Sequence, residues 1–134
     1  MREAIDELAA QKPAAEIEVG LTAADVEHFE ANGFVSLPRI TTDEEVAWLR
    51  DLYDALFRER LKLYDGGVWD LVKPYGWDGE DRLPQIVHPE RECAVLKETL
   101  FFRNGRKLAA QLMRIDPDLL EAWGHMIRKP AKIG

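Results

Sequence analysis

Residues 42–63 read TDEEVAWLRDLYDALFRERLKL and predict an α-helix over 43–63. Thr42 stands before three acidic residues, as in a capping box, where a hydroxyl and a carboxylate satisfy free backbone amides at a helix start. Apolar side chains then follow at steps of three and four residues, the spacing of one helix face; they are Val46, Leu49, Leu52, Tyr53, Leu56, Phe57 and Leu63. The predicted helix therefore has an apolar side that must pack against another part of the fold.

A shorter helix is predicted upstream, over 23–32. Thr22 can cap its free amides, and Asp25 stands three residues further on, near the positive end of the helix dipole. Asn32-Gly33 supplies the left-handed residue that commonly ends a helix. This helix should therefore begin and end at well-defined positions.

Further elements follow from alternation and helical spacing. We predict strands at 34–38, 83–87 and 124–130, and a helix at 92–112 that Asn104-Gly105 could interrupt. Residues 1–20 are expected to be a flexible N-terminal arm, with 21–134 as one domain. The fold class is therefore α+β, mainly helical with few short strands.

Residues 65–84 form a long stretch without periodicity. Glycines and prolines alternate there with three large aromatic residues, Trp69, Tyr75 and Trp77. Long aperiodic loops inside compact domains usually serve as lids or binding segments. The aromatic residues are therefore candidates for a substrate loop, and the alternative is that they only seal the side of the core.

The composition excludes several classes of protein. The 134 residues are 46% hydrophobic and 32% charged, with a net charge of −7, which is typical of a globular chain. The single cysteine, Cys93, excludes an internal disulfide and favours a reducing compartment. No apolar run approaches the roughly 18 residues of a membrane span, so we expect a cytoplasmic protein without a membrane partner.

Nucleic-acid binding is not expected from a chain with this charge. The nearest basic group lies on the predicted helix 92–112 and consists of Arg103, Arg106, Lys107 and Arg114. Phosphate recognition needs such a stripe to be free, and a solvated helix face is the simpler interpretation.

The histidines allow one candidate metal site. His28 and Glu30 lie two residues apart on a predicted helix, so their side chains point in different directions and cannot hold one ion. His88-Pro89-Glu90 is the better candidate because the residue before proline favours extended geometry, in which positions i and i+2 face the same side. With His125, these residues would supply the two histidines and one carboxylate of an iron(II) oxygenase. The alternative is that His88 and Glu90 only flank the following helix.

Three segments resemble the phytanoyl-CoA dioxygenase family. The first is residues 21–38, where a short helix leads into Asn32-Gly33-Phe34-Val35-Ser36-Leu37-Pro38. The second is the acidic-capped helix start at residues 42–49, and the third is Met126-Ile127-Arg128-Lys129-Pro130, which looks like the family's strand with a Lys-Pro pair. The resemblance covers about residues 21–134 and implies the mainly helical N-terminal part of a double-stranded β-helix, or jelly roll, with an incomplete barrel.

The resemblance implies an iron(II)- and 2-oxoglutarate-dependent dioxygenase acting on a small-molecule substrate. Family members bind iron through His-x-Asp and a distal histidine, and no His-x-Asp occurs in this sequence. We therefore expect an N-terminal fragment that is inactive alone, with no catalytic or metal-ligating residue and no bound cofactor. Cofactor-contacting positions carried over from the family are Gln85, His125 and Lys129, although the residue types at the first two differ from the family's.

A second interpretation belongs to a different class. The chain could be a small acidic α-helical interaction module without catalysis, docking a partner through its aromatic loop. A fragment would instead expose the apolar sides of 43–63 and 92–112 and self-associate through them. The sequence leaves both interpretations open.

Overall fold

The computed structural model describes residues 2–59, 68–70, 72 and 83–129. Within these ranges the chain forms four α-helices and a small antiparallel sheet, which confirms the α+β class. The helices are α1 (Glu3–Ala10), α2 (Ala23–Asn32), α3 (Asp43–Glu59) and α4 (Leu100–Met113), and the strands are β1 (Val68–Asp70), β2 (Pro84–Val87) and β3 (His125–Ile127). Single turns of 3₁₀ helix lie at Pro89–Arg91, Ala94–Glu98 and Pro117–Leu119.

The predicted ends of α2 are confirmed. The Thr22 hydroxyl accepts from the Asp25 amide, and the Asp25 carboxylate accepts from the Thr22 amide, which completes a capping box. Gly33 follows the helix in the left-handed region with φ of 79°, a conformation that glycine adopts without the steric cost of a Cβ atom.

The core is built on the apolar side of α3. Leu52 and Leu56 are completely buried there, next to Trp48 and Phe57. Further buried residues come from α1, from β2 and from the segment that follows β2. The cluster comprises Ile5, Trp48, Leu52, Ala55, Leu56, Phe57, Ile86, Cys93 and Leu96. The helix predicted from the 3–4 spacing is thus the element against which the other elements pack.

Part of the expected flexible arm lies in this core. Helix α1 packs against α3, where Ile5 is buried and the Trp48 indole Nε1 donates to the Leu8 carbonyl at 2.7 Å. Further along, Leu21 exchanges two hydrogen bonds with the Gln111 side chain of α4. Residues 1–20 therefore have specific contacts in the fold, and their flexibility stays a prediction.

The sheet has the order β1-β2-β3, and both strand pairs are antiparallel. Ile86 on the central strand pairs with Val68 on one side and Met126 on the other, and its side chain is buried in the core. Strand β3 is also attached to α3, since the Tyr53 hydroxyl donates to the Ile127 carbonyl and Arg128 pairs with Asp54 at 3.3 Å.

Two predicted elements differ from the structure. Residues 34–38 form no strand, because they pair with no strand among the described residues, and residues 35–38 instead line a groove beside α4. The predicted helix 92–112 is interrupted at Thr99 and not at Asn104-Gly105. Thr99 has extended backbone angles, and its hydroxyl caps α4 by accepting from the Phe102 amide at 3.2 Å.

Glu45 joins α3 to α4 from the interior. It is 1% exposed, and its carboxylate accepts from the backbone amides of Leu100 at 2.8 Å and Phe101 at 3.0 Å. The Thr41 hydroxyl donates to the same carboxylate. The expected capping box at residues 42–45 is therefore only half formed: Thr42 accepts from the Glu45 amide, while the Glu45 carboxylate caps a different helix.

Replacing Glu45 tests this link. Glu45→Ala leaves two amides and a hydroxyl without their acceptor in the interior, so we expect the free energy of unfolding to fall by about 2–4 kcal/mol. The matched control is Glu44→Ala, since Glu44 is exposed in the same helical turn and its loss should change stability by less than about 0.5 kcal/mol. Urea unfolding followed by circular dichroism measures both, and equal effects would contradict the assignment.

Candidate functional site

The candidate site lies where β2 ends and the chain turns into the next segment. His88 adopts the left-handed region with φ of 56°, and Pro89 begins a 3₁₀ turn directly after it. The His88 amide still donates to the Gly124 carbonyl at 3.0 Å, so the corner remains attached to the chain that enters β3. A non-glycine residue in this region is held there by its surroundings, and such residues are frequent at functional sites.

Glu90 lies beneath this corner. Its side chain is 4% exposed, and each carboxylate oxygen has a partner: Oε1 lies 3.1 Å from Nδ1 of His88, and Oε2 accepts from the Gly124 amide at 3.0 Å. A Cβ atom at position 124 would lie 3.1 Å from Oε2 of Glu90 and 3.2 Å from Cγ of Pro89, so a larger residue fits only if these neighbours shift. The carboxylate is thus fixed between a histidine and a backbone amide.

The indole of Trp123 links the two histidines of this region. The imidazole of His88 lies against the indole of Trp123 with 4.7 Å between ring centroids, and His125 lies 6.2 Å from the same indole. On β3, Nε2 of His125 is 2.8 Å from Oε1 of Gln85, a side chain buried on the neighbouring strand. Two histidines therefore flank one half-exposed tryptophan, and each has a hydrogen-bond partner on one ring nitrogen.

This arrangement differs from the predicted metal triad of His88, Glu90 and His125. The backbone at His88 is left-handed, not extended, and the side chains of His88 and Glu90 bond to each other instead of facing a common ion. Within residues 2–59, 68–70, 72 and 83–129, no group of three His, Cys, Asp or Glu side chains could hold a metal ion. In this geometry Glu90 is a hydrogen-bond partner of His88 and does not join it in coordinating a metal ion.

The residues suggested as cofactor contacts are only partly close together. Gln85 and His125 bond to each other across β2 and β3, whereas Lys129 lies exposed beyond the end of β3. Of the suggested substrate loop, Trp69 lies on β1 and pairs through its backbone with Gln85. Tyr75 and Trp77 lie outside the described residues.

The basic residues of α4 are neutralised by acidic ones. Arg103 lies 2.7 Å from Glu16, Lys107 lies 3.4 Å from Glu18, and Arg114 lies 2.5 Å from Glu30. Arg106 lies 3.7 Å from Asp118 and also donates to the Leu120 carbonyl. These ion pairs occupy the positive charges that phosphate binding would require. The absence of a nucleic-acid partner stays a prediction.

Two buried groups near the sheet have altered acidity. Burial raises the pKa of the Cys93 thiol; the negative charge of Asp6 raises it further, and Arg2 partly offsets this. Burial likewise raises the pKa of Tyr53, with Arg128 lowering it and Asp54 raising it. A raised thiol pKa disfavours the nucleophilic thiolate, so Cys93 is a packing residue of the core.

Sequence reasoning did not identify Trp123 and Gly124 as part of this site. Both stand close to His125 in the sequence, but the contact with the His88 corner depends on the pairing of β2 with β3. A Trp-Gly-His run opening a predicted strand was the available signal, since glycine there can mark the close approach of another backbone or side chain.

Comparisons with known proteins leave the relationship open. No protein-family model, no curated protein and no solved structure matches this chain. In addition, none of the helices in the described part of the chain is both long and apolar enough to span a membrane. The family resemblance therefore stays a prediction.

The close packing at Gly124 can be tested with a glycine pair. Gly124→Ala would press a methyl group against Glu90 and Pro89, so we expect the free energy of unfolding to fall by about 1–3 kcal/mol. Gly105→Ala is the control, because its Cβ meets no atom within 4 Å and alanine stabilises a helix by about 0.5–1 kcal/mol relative to glycine. Thermal unfolding should show shifts of opposite sign, and two shifts of the same sign would contradict the packing described here.

The Cys93 thiol provides a second test. In the folded chain it should react with Ellman's reagent at least about tenfold more slowly than in urea, because it is buried and its pKa is raised. The unfolded thiol loses its proton at a lower pH than the folded thiol does. The contribution of this thiol to the free energy of unfolding should therefore be complete below a pH of about 8.5 and decrease as the pH rises through the folded pKa. In Cys93→Ala this part of the pH dependence should vanish, and equal reaction rates in the two states would show that the thiol is accessible.

Proposed function

We propose that residues 21–134 are the helical N-terminal part of an iron(II)- and 2-oxoglutarate-dependent dioxygenase domain of the phytanoyl-CoA dioxygenase type. In this proposal the segment packs beside a jelly-roll barrel and is inactive alone. The observation that carries the proposal is the resemblance of the three segments 21–38, 42–49 and 126–130. Two of them coincide with helix starts, at α2 and α3, and the third covers part of β3.

The geometry of β3 supports a sheet that continues beyond it. Arg128 donates to the Pro84 carbonyl, and His88 donates to the Gly124 carbonyl, so bonded pairs alternate along β2 and β3. By this alternation, the polar backbone groups of His125 and Ile127 point away from β2. The Ile127 carbonyl is bonded to Tyr53, while His125 offers its amide and carbonyl at the edge of the described sheet. Such an edge can add a further strand.

The described residues do not fit the cofactors of that family. His88 and Glu90 are bonded to each other, His125 is bonded to Gln85, and no three suitable side chains in the described ranges converge on one point. The carboxylates of 2-oxoglutarate would require cationic partners, and Gln85 and His125 instead satisfy one another. We therefore derive no catalytic step here and assign the iron and 2-oxoglutarate contacts to other parts of the proposed parent enzyme.

A role for this segment in substrate binding is part of the proposal. Trp69, Tyr75 and Trp77 stand in a glycine- and proline-rich stretch of a type that often closes over ligands. Strand β1, which contains Trp69, is paired with β2 next to Gln85. We assign this stretch to contact with a small-molecule substrate.

Extending the chain tests the proposal. The coding DNA beyond codon 134 would be sequenced, and the protein encoded by the extended frame would be titrated anaerobically with iron(II) and 2-oxoglutarate. We expect a His-x-Asp motif soon after the Lys129-Pro130 pair and a weak visible charge-transfer band in the extended protein only. A band in the 134-residue chain would contradict its inactivity, and an extended frame without His-x-Asp would contradict the family assignment.

One observation favours the alternative of an interaction module. An open groove of about 710 Å³ runs between residues 35–41 and α4, with mainly apolar lining side chains from Val35, Leu37, Pro38, Ile40, Val46, Phe101, Leu108 and Leu112. Phe101 and nearby Phe34 are more than half exposed. Exposed apolar surface of this kind is typical of docking sites, and docking of a partner at this groove is the form that the second proposal takes.

A further inference from the structure

The two ring nitrogens of His88 differ in their hydrogen bonding within the described residues: Nδ1 has a partner and Nε2 has none. Nδ1 lies 3.1 Å from the Glu90 carboxylate, and because an ionised carboxylate only accepts hydrogen bonds, this contact assigns the ring proton to Nδ1. In the neutral ring the lone pair is then on Nε2. Within the described ranges Nε2 has no hydrogen-bond partner, and the side chain is 26% exposed. The ring that bears this lone pair is therefore partly exposed to solution.

Glu90 is fixed so firmly that it can set the tautomer of this ring. Its side chain is almost completely buried, and its second oxygen accepts from the Gly124 amide. Gly124 allows this close approach, since a Cβ at that position would lie only 3.1 Å from the same oxygen. The indole of Trp123 lies along the imidazole and restricts its rotation. The ring is thus oriented by a hydrogen bond and by packing.

The other two histidines lack these features. His125 has the amide oxygen of Gln85 as its partner, and His28 lies 3.4 Å from the side-chain nitrogen of Asn32. Within the described residues, only His88 is bonded to a carboxylate. Pairing with a buried carboxylate is how proteins orient an imidazole so that its other nitrogen accepts a proton.

We propose that His88 is a proton-accepting residue, with Glu90 as its positioning residue, at a binding site for a molecule that presents an O–H or N–H group to Nε2. In the transfer, the O–H or N–H bond breaks, the donor atom keeps the electron pair, and the proton forms a new bond to Nε2. The resulting imidazolium charge lies next to the Glu90 carboxylate, which stabilises it. The half-exposed indole of Trp123 supplies an apolar surface beside the imidazole. This inference does not use the oxygenase proposal.

The variant Glu90→Gln separates orientation from folding. A glutamine can keep both contacts, with its oxygen accepting from the Gly124 amide and its NH₂ group donating to Nδ1 of His88. The polarity of the second bond is then reversed, so the proton moves to Nε2 and the accessible lone pair is lost. Gln85→Ala is the matched control, because it removes the partner of His125 and leaves the His88 corner unchanged.

Two measurements on the 134-residue chain test the proposal. Nitrogen-15 NMR at a pH of about 8, where an ordinary imidazole is neutral, should show His88 protonated at Nδ1 in the unaltered protein. Diethyl pyrocarbonate, which acylates a ring nitrogen with a free lone pair, should modify His88 about tenfold more slowly in Glu90→Gln, the order of effect of one charge-assisted hydrogen bond. Peptide mass spectrometry distinguishes the three histidines, and His28 provides the reference rate.

The outcomes are distinct. Protonation at Nδ1 together with slower acylation in Glu90→Gln and unchanged acylation in Gln85→Ala supports the proposal. A proton on Nε2 in the unaltered protein overturns it, even if Glu90→Gln does not fold. Equal acylation of His88 in a folded Glu90→Gln protein overturns the positioning role of Glu90.

Discussion

A carboxylate buried in a protein interior must find hydrogen-bond donors, and Glu45 finds them at the first turn of another helix. The free amides of Leu100 and Phe101 at the start of α4 need acceptors as much as the carboxylate needs donors. Separating α3 from α4 would therefore leave both the carboxylate and the two amides without their hydrogen-bond partners. The positive end of the α4 dipole adds to this attraction. Because α3 carries the apolar core and α4 carries the contacts to residues 16–30, this link joins two parts of the fold.

The sheet is joined to the same core by two further sets of contacts. Ile86 fills the space next to α3, and Tyr53 and Asp54 bind the end of β3 through Ile127 and Arg128. At the opposite end of the β2–β3 pair lies the His88 corner, where a buried carboxylate again accepts from a backbone amide. Glu45 and Glu90 thus serve the same physical purpose at two places, but Glu90 also leaves one nitrogen of a histidine ready for a ligand. That difference separates a residue that stabilises the fold from one that can support chemistry.

The sequence predicted elements with strong local signals and missed those set by long-range contacts. Helices α2 and α3 followed from their caps and apolar spacing, and β2 and β3 from short β-type runs. Residues 34–38 alternate like a strand but pair with no strand in the described part of the chain, and only the fold reveals that. Glu45 was assigned to its own helix because a capping box is local, whereas its true partners lie 55 and 56 residues further along the chain. His88 and Glu90 were considered from the sequence as part of a metal site, but the left-handed geometry before proline could not be read from composition or spacing.

The arrangement of the fold depends on the hydrogen bonds between the Glu45 carboxylate and the start of α4. These bonds orient the helices against which the sheet and the His88 corner pack. Hydrogen exchange of the backbone amides, followed by NMR in the unaltered chain, tests this link most directly. Amides in the first turn of a helix normally exchange quickly because they lack helical partners. Because Glu45 accepts from them, we expect the amides of Leu100 and Phe101 to exchange as slowly as the most protected amides of α3. Exchange at the fast rate of an uncapped helix start would contradict the account.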